Sequence, residues 1–234
     1  MNTAKSFDII VFDWDGTLMD SAAAIVLAIQ SASRDLGIPE PSEEEARHVI
    51  GLGLHEALHY LAPNMPASWY PKMAERYRYH YFSGDHDIAL FAGVKELLTE
   101  LQQAGFILAV ATGKTRVGLD RAMAHFGLAD YFAATRTAGE CPSKPHPAML
   151  LELMEELSAT PDRVVMIGDT THDLQMAASA GCRGIGVTYG AHPKSALLAA
   201  NPIFCVDSVQ ELAEILQSCD PADPADSNEE PTRR

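Results

Sequence analysis

Phe7-Asp8-Ile9-Ile10-Val11-Phe12-Asp13-Trp14-Asp15-Gly16-Thr17-Leu18 opens on an apolar run and closes on two carboxylates and a glycine. Residues 7–12 are too few for a buried helix and end at turn-forming residues, so they read as a buried strand that stops at a loop. Similar apolar runs recur at 107–111, 164–167 and 184–187, with a weaker one at 204–206. Helical periodicity fills residues 94–104, 116–126, 147–157 and 174–180 between them. Gly105, Gly127 and Gly181 follow three of these stretches, where a left-handed cap residue is expected. Strands alternating with helices predict an α/β fold built on an open, mostly parallel sheet.

Residues 20–89 break that rhythm. Ala22-Ala23-Ala24-Ile25-Val26-Leu27 begins a helix that Gly37 and Pro39 close. Ser42-Glu43-Glu44-Glu45 has the pattern of a capping box for a second helix. A third covers residues 69–82, rich in tyrosine and charge. The segment reads as an all-helical insert between the first strand and the rest of the sheet. Residues 220–234 lack apolar periodicity and are acidic and proline-rich, which predicts a disordered tail.

Composition narrows the function. The 234 residues carry 32 acidic against 17 basic side chains, a formal charge of −15. Such a chain is repelled by nucleic-acid backbones and anionic membrane surfaces, so neither is expected as a partner. A small anionic substrate is still compatible, because a site needs only a few local cations. No run reaches the ~20 apolar residues of a membrane span, and no signal-peptide pattern opens the chain. Cytoplasm is the expected compartment, and four scattered cysteines without metal spacing read as free thiols. Monomer and homodimer are both compatible with the sequence.

Four groups of residues carry the chemistry. Asp13 and Asp15 flank Trp14 at the carboxyl end of the first strand, where open α/β sheets place their sites. Alone they read equally as an acidic turn. Thr112-Gly113 ends the strand at 107–111 and offers a hydroxyl and backbone N–H groups suited to phosphate oxygens. Lys144 lies in Ser143-Lys144-Pro145-His146-Pro147 before a helix. Gly168-Asp169-Thr170-Thr171-His172-Asp173 adds two carboxylates after the strand at 164–167, and hard oxygen ligands suit Mg²⁺. A carboxylate attacking phosphorus needs cations to offset charge, donors for the phosphoryl oxygens and an acid for the leaving oxygen. The four groups together supply that set.

With these motifs in this order, the chain resembles the haloacid dehalogenase superfamily of hydrolases, its phosphoglycolate phosphatase-like branch most closely, over about residues 7–216. The resemblance implies a Rossmann-like phosphatase core of residues 1–19 and 90–219 and a helical cap of residues 20–89. It implies Asp13 as nucleophile and Mg²⁺ ligand, and Asp15 as general acid and base that also gives its main-chain carbonyl to Mg²⁺. Thr112, Gly113 and Lys144 would bind the phosphoryl group, Asp169 would ligate Mg²⁺, and Asp173 would orient the site from behind the ligands. Trp14 should point away, since side chains alternate along an extended segment. The dehalogenase and phosphonate-hydrolase branches lack an acid at the position of Asp15, which argues against those reactions. Ala92 stands where relatives often carry proline, at the second hinge of the cap.

The implied reaction is phosphate-monoester hydrolysis of a small phosphorylated metabolite, with 2-phosphoglycolate as the substrate the branch suggests. A phosphosugar mutase would use the same aspartate pair, and a non-catalytic binding protein could share the fold. The cap implies closure over the site. Gly51-Leu52-Gly53 resembles the cap's specificity loop, although a helix break reads the same way. Arg47, His48 and His55 are the candidate cap cations. Tyr77 and Tyr81 share one helical face and are expected to pack within the cap rather than meet substrate.

Overall fold

A computed structural model describes residues 7–83 and 88–219. The predicted tail and the first six residues lie outside these. The chain runs β1 (Ile9–Phe12), α1 (Ala22–Leu36), α2 (Glu43–His48), α3 (Leu54–Leu61), α4 (Tyr70–Ser83), α5 (Val94–Gln103), β2 (Ile107–Thr112) and α6 (Arg116–Phe126). It continues through β3 (Ala134–Thr137), α7 (Ala148–Glu156), β4 (Val164–Gly168), α8 (Thr171–Ser179), β5 (Arg183–Val187), α9 (Lys194–Ala199), β6 (Phe204–Val206) and α10 (Val209–Gln217).

Among the described residues the sheet has six strands in the order β3-β2-β1-β4-β5-β6, and every pairing is parallel. β1 pairs with β2 on one side and β4 on the other. Its side chains alternate between two cores: Ile10 and Phe12 join one apolar cluster, Ile9 and Val11 the other. Burial on both faces is why the strand reads as an unbroken apolar run. The chain builds outward from β1 to β3 and then returns to β1's opposite side with β4. That reversal opens a crevice at the carboxyl ends of the central strands.

The helical stretch after β1 forms with two adjustments, the first being an additional helix, α3, that the sequence reading did not delimit. The Ser42–Glu45 capping box is present, and Gly37 closes α1 at φ +65°. The expected helix at 69–82 starts one residue later, because Ala67–Trp69 forms a 3₁₀ turn. Pro71 then sits in the first turn of α4, where a missing N–H costs nothing. Helices α1 to α4 share apolar clusters that include Ile25, Ile29, Ile50, Leu58 and Met73, and Ala191 from the sheet side joins one of them. β3 escapes sequence detection because it is an edge strand of sequence Ala-Thr-Arg-Thr with no apolar run. All four cysteines are free thiols. Among the described residues no helix is long and apolar enough to cross a membrane.

Candidate active site

Asp13 follows β1 directly, and its N–H donates to the Ile167 carbonyl of β4 at 2.9 Å. This bond extends the ladder one residue past the strand and fixes the carboxylate at the crevice. Trp14 points the other way, fully buried against Phe132 with ring centroids 6.3 Å apart. Asp13 Oδ1 accepts from the Trp14 N–H at 2.6 Å and meets Lys144 Nζ at 2.7 Å. Asp13 Oδ2 is buried and has no partner.

Lys144 reaches the site from the turn before α7. Its ammonium is wholly buried and also lies 2.7 Å from Asp173 Oδ1. Burial alone would pull the lysine's pKa down, but Asp13 and Asp173 outweigh it and hold it above its ordinary value. The other oxygen of Asp173 accepts from the Thr170 hydroxyl at 2.6 Å and the Thr170 N–H at 3.1 Å, within a capping box at the start of α8. Asp173 is therefore held rigidly by its own helix terminus.

Asp169 follows β4 directly and is also fully buried. The Thr17 hydroxyl donates to one of its oxygens at 2.9 Å, and the Ala191 N–H donates to the other at 2.7 Å. Burial and the nearby Asp173 charge push its pKa up to about 7, against those two donors. Burial likewise pushes Asp13 well above the carboxylate range, with Lys144 opposing and Asp173 and Asp169 adding to the rise. Carboxylate oxygens of Asp13, Asp169 and Asp173 lie within 4.8 Å of one another. Three buried carboxylates thus face one ammonium, and one oxygen lacks any partner. A hard divalent cation such as Mg²⁺ fits that donor set and that charge.

Asp15 stands apart. Its Oδ1 accepts from the Ser21 hydroxyl at 2.6 Å and pairs with Lys114 Nζ at 2.9 Å. Lys114 was not singled out in the sequence, although its place directly after Thr112-Gly113 is the signal that would have found it. Thr112 is the last residue of β2, and its oxygen accepts from the Lys114 N–H at 3.2 Å. Its own hydroxyl hydrogen is left to donate elsewhere.

The Gly51-Leu52-Gly53 loop joins α2 to α3 and lies on this center. Gly51 adopts φ +90°, and the Gly53 N–H donates to the Ser143 hydroxyl at 2.7 Å. A side chain at Gly113 would overlap the carbonyl oxygens of Gly51 and Leu52. The insert is also tied down through His48, whose carbonyl lies 2.7 Å from His172 Nε2 and 3.1 Å from His192 Nε2. A carbonyl only accepts, so both Nε2 atoms carry the hydrogen. His192 Nδ1 is then free to accept from the Thr171 N–H at 3.1 Å.

A cavity of about 450 Å³ opens in front of Asp15, between α1, α3, α4 and the start of α6. Arg47, His48 and His55 do not line it. Arg47 faces back along α2 to Glu43 at 2.9 Å, and the ring of His55 stacks on Tyr70. The cations on its wall are Lys114, Arg78 and Arg121. Tyr77 and Tyr81 pack against the insert's apolar cluster as expected, but both also form part of the wall, which corrects the reading of them as packing alone.

A parallel α/β sheet whose central strand ends in a lysine-braced aspartate, ringed by further buried carboxylates, is a site suited to phosphoryl groups and a divalent cation. Residues 10–187 match the model of the haloacid dehalogenase-like hydrolases. The chain is 33% identical to a phosphoglycolate phosphatase of Vibrio parahaemolyticus, over 92% of this chain and 98% of that protein. It is 36% identical to the probable phosphatase IndB of Dickeya dadantii, over 87% and 91% of the two chains. It superposes with a TM-score of 0.79 on the crystal structure of a predicted phosphoglycolate phosphatase from Haemophilus somnus, 27% identical, covering 92% and 100%. The chain belongs to the haloacid dehalogenase-like hydrolase family, and within it is a phosphatase.

Proposed function

We propose that this phosphatase is Mg²⁺-dependent and hydrolyzes a small phosphate monoester through a phosphoaspartate on Asp13. The observation that carries the proposal is the asymmetry of that carboxylate. Oδ1 is held by Lys144 and the Trp14 N–H, while Oδ2 is buried, unpartnered and free to attack. Attack on phosphorus breaks the ester bond, and Asp15 gives its proton to the departing alkoxide. Asp15 then takes a proton from the water that attacks the phosphoaspartate, releasing phosphate and restoring Asp13. Ser21 and Lys114 both contact Oδ1 of Asp15, so Oδ2 is the oxygen left to carry that proton.

The Thr112 hydroxyl and the Gly113 N–H hold the phosphoryl oxygens, and Lys144 offsets the charge between nucleophile and phosphate. Asp13, Asp169 and the main-chain carbonyl of Asp15 would hold Mg²⁺, which would supply the remaining positive charge when bound. Asp173 acts through Lys144, which it braces from the α8 terminus. Residues 20–89 serve as a cap on a core of residues 1–19 and 90–219, and residues 51–53 close over the phosphoryl position. The names of relatives support 2-phosphoglycolate as the reference substrate, and the same names favor hydrolysis over a mutase reaction.

Asp13→Asn tests the proposal: Mg²⁺-dependent phosphate release should vanish while circular dichroism stays native. Turnover by the purified variant, or full turnover after exhaustive chelation, would refute the nucleophile or the metal respectively. Phosphate release by the parent without added sugar bisphosphate separates hydrolysis from mutase chemistry.

A further inference from the structure

The cavity before Asp15 is larger than a two-carbon leaving group needs. A water's share of the liquid is ~30 Å³, so about 450 Å³ has room for roughly fifteen water-sized groups. Glycolate would fill only a small part of it. The walls disagree with glycolate as well. Ile25, Ile29, Leu54, Ala57 and Val117 line the space, and the Tyr77 and Tyr81 rings stand nearly parallel beside it, 23° apart. A compact anion gains nothing from such walls, whereas an apolar body gains by leaving water.

The charged groups are sorted by depth. Lys114 is engaged with Asp15 at the inner end. Arg78 of α4 and Arg121 of α6 are exposed and lie on the same wall. Neither has an acidic partner among the described residues, and the Arg121 guanidinium instead lies 4.8 Å from the Phe82 ring centroid. Val117, 78% exposed, adds apolar surface to the same rim. An anionic group at the far end of a substrate is the complement that these two exposed arginines offer.

Resting on the phosphatase reading above, we propose that the substrate is the phosphate monoester of an alcohol with a ring-sized apolar body and an anionic far end, received by Arg78 and Arg121. The probes are 2-phosphoglycolate, 2-phenylethyl phosphate and the same phenylethyl ester with a para-carboxylate, each assayed for phosphate release with Mg²⁺. The ratio kcat/KM should rise about tenfold or more from 2-phosphoglycolate to 2-phenylethyl phosphate, and several-fold again with the carboxylate. Arg78→Gln and Arg121→Gln should cancel the second gain, bringing the two phenylethyl esters to equal efficiency. Both arginines are exposed, so these variants are expected to fold. If 2-phosphoglycolate is the best of the three, the inference fails while the phosphatase reading stands. A carboxylate gain that survives both substitutions removes the arginines from it. No release from any of the three esters, with p-nitrophenyl phosphate also inert, would overturn both the inference and the reading beneath it.

Discussion

Asp169→Asn in metal-free protein should stabilize the fold, and increasingly so as pH rises. Burial and Asp173 raise the Asp169 pKa from 3.8 to about 7. A carboxyl whose folded pKa is raised binds its proton more tightly in the folded state. Its charge therefore costs nothing below about pH 4, and the cost grows as pH climbs toward 7. At about 1.4 kcal/mol per pH unit, the full cost above pH 7 is on the order of 4 kcal/mol. Asparagine carries no charge, and its oxygen can still accept from the Ala191 N–H while the Thr17 hydroxyl turns to accept from its amide. His192, pushed down to about 4 by burial and by His172, has the opposite pH dependence, and subtracting the two proteins cancels it. The assay is urea denaturation of parent and variant in EDTA from pH 4 to 8. The stability difference should grow from near zero to several kcal/mol in favor of the variant. Saturating Mg²⁺ should shrink it, by about 2.7 kcal/mol at a hundred times Kd, because only the parent keeps the ligand. A pH-independent difference in EDTA, or a variant less stable than the parent at pH 8, would refute the reasoning.

Two other perturbations follow from the same geometry. Lys144→Met leaves Asp13 and Asp173 buried without their shared cation, and should cost about 3–5 kcal/mol in urea denaturation; unchanged stability would mean the ammonium does not balance them. Gly113→Ala puts a methyl group against the Gly51 and Leu52 carbonyls, an overlap of about 1–3 kcal/mol. It should lower kcat/KM about tenfold or more without loss of native circular dichroism, and parent-like efficiency would show that the loop does not rest on Gly113.

How much of this was legible beforehand depends on how local each signal is. β1 announced itself because burial on both faces demands an unbroken apolar run, and residues 116–126 matched α6 end to end because a 3.6-residue period and a closing glycine are both local. β3 did not, because an edge strand can be half polar: Thr135 and Arg136 face partners such as Arg116 and Glu152 instead of a core. Arg47 looked like a candidate cation by residue type. Only the phase of α2 shows that it turns to Glu43.

The sequence by itself determined the parallel α/β class and the residue types of the candidate site. It also determined their place at strand ends, since periodicity and turn residues act over a few positions along the chain. Tertiary structure alone decided which charges meet. Lys144 lies 131 positions from Asp13 and 29 from Asp173, yet touches both, and Lys114 and Ser21 converge on one oxygen of Asp15. It alone decided the character of the cavity before Asp15, whose wall joins residues of α1, α3, α4 and α6. Charge pairing and cavity shape depend on distances in space, and spacing along the chain does not encode those until the sheet and helices have packed.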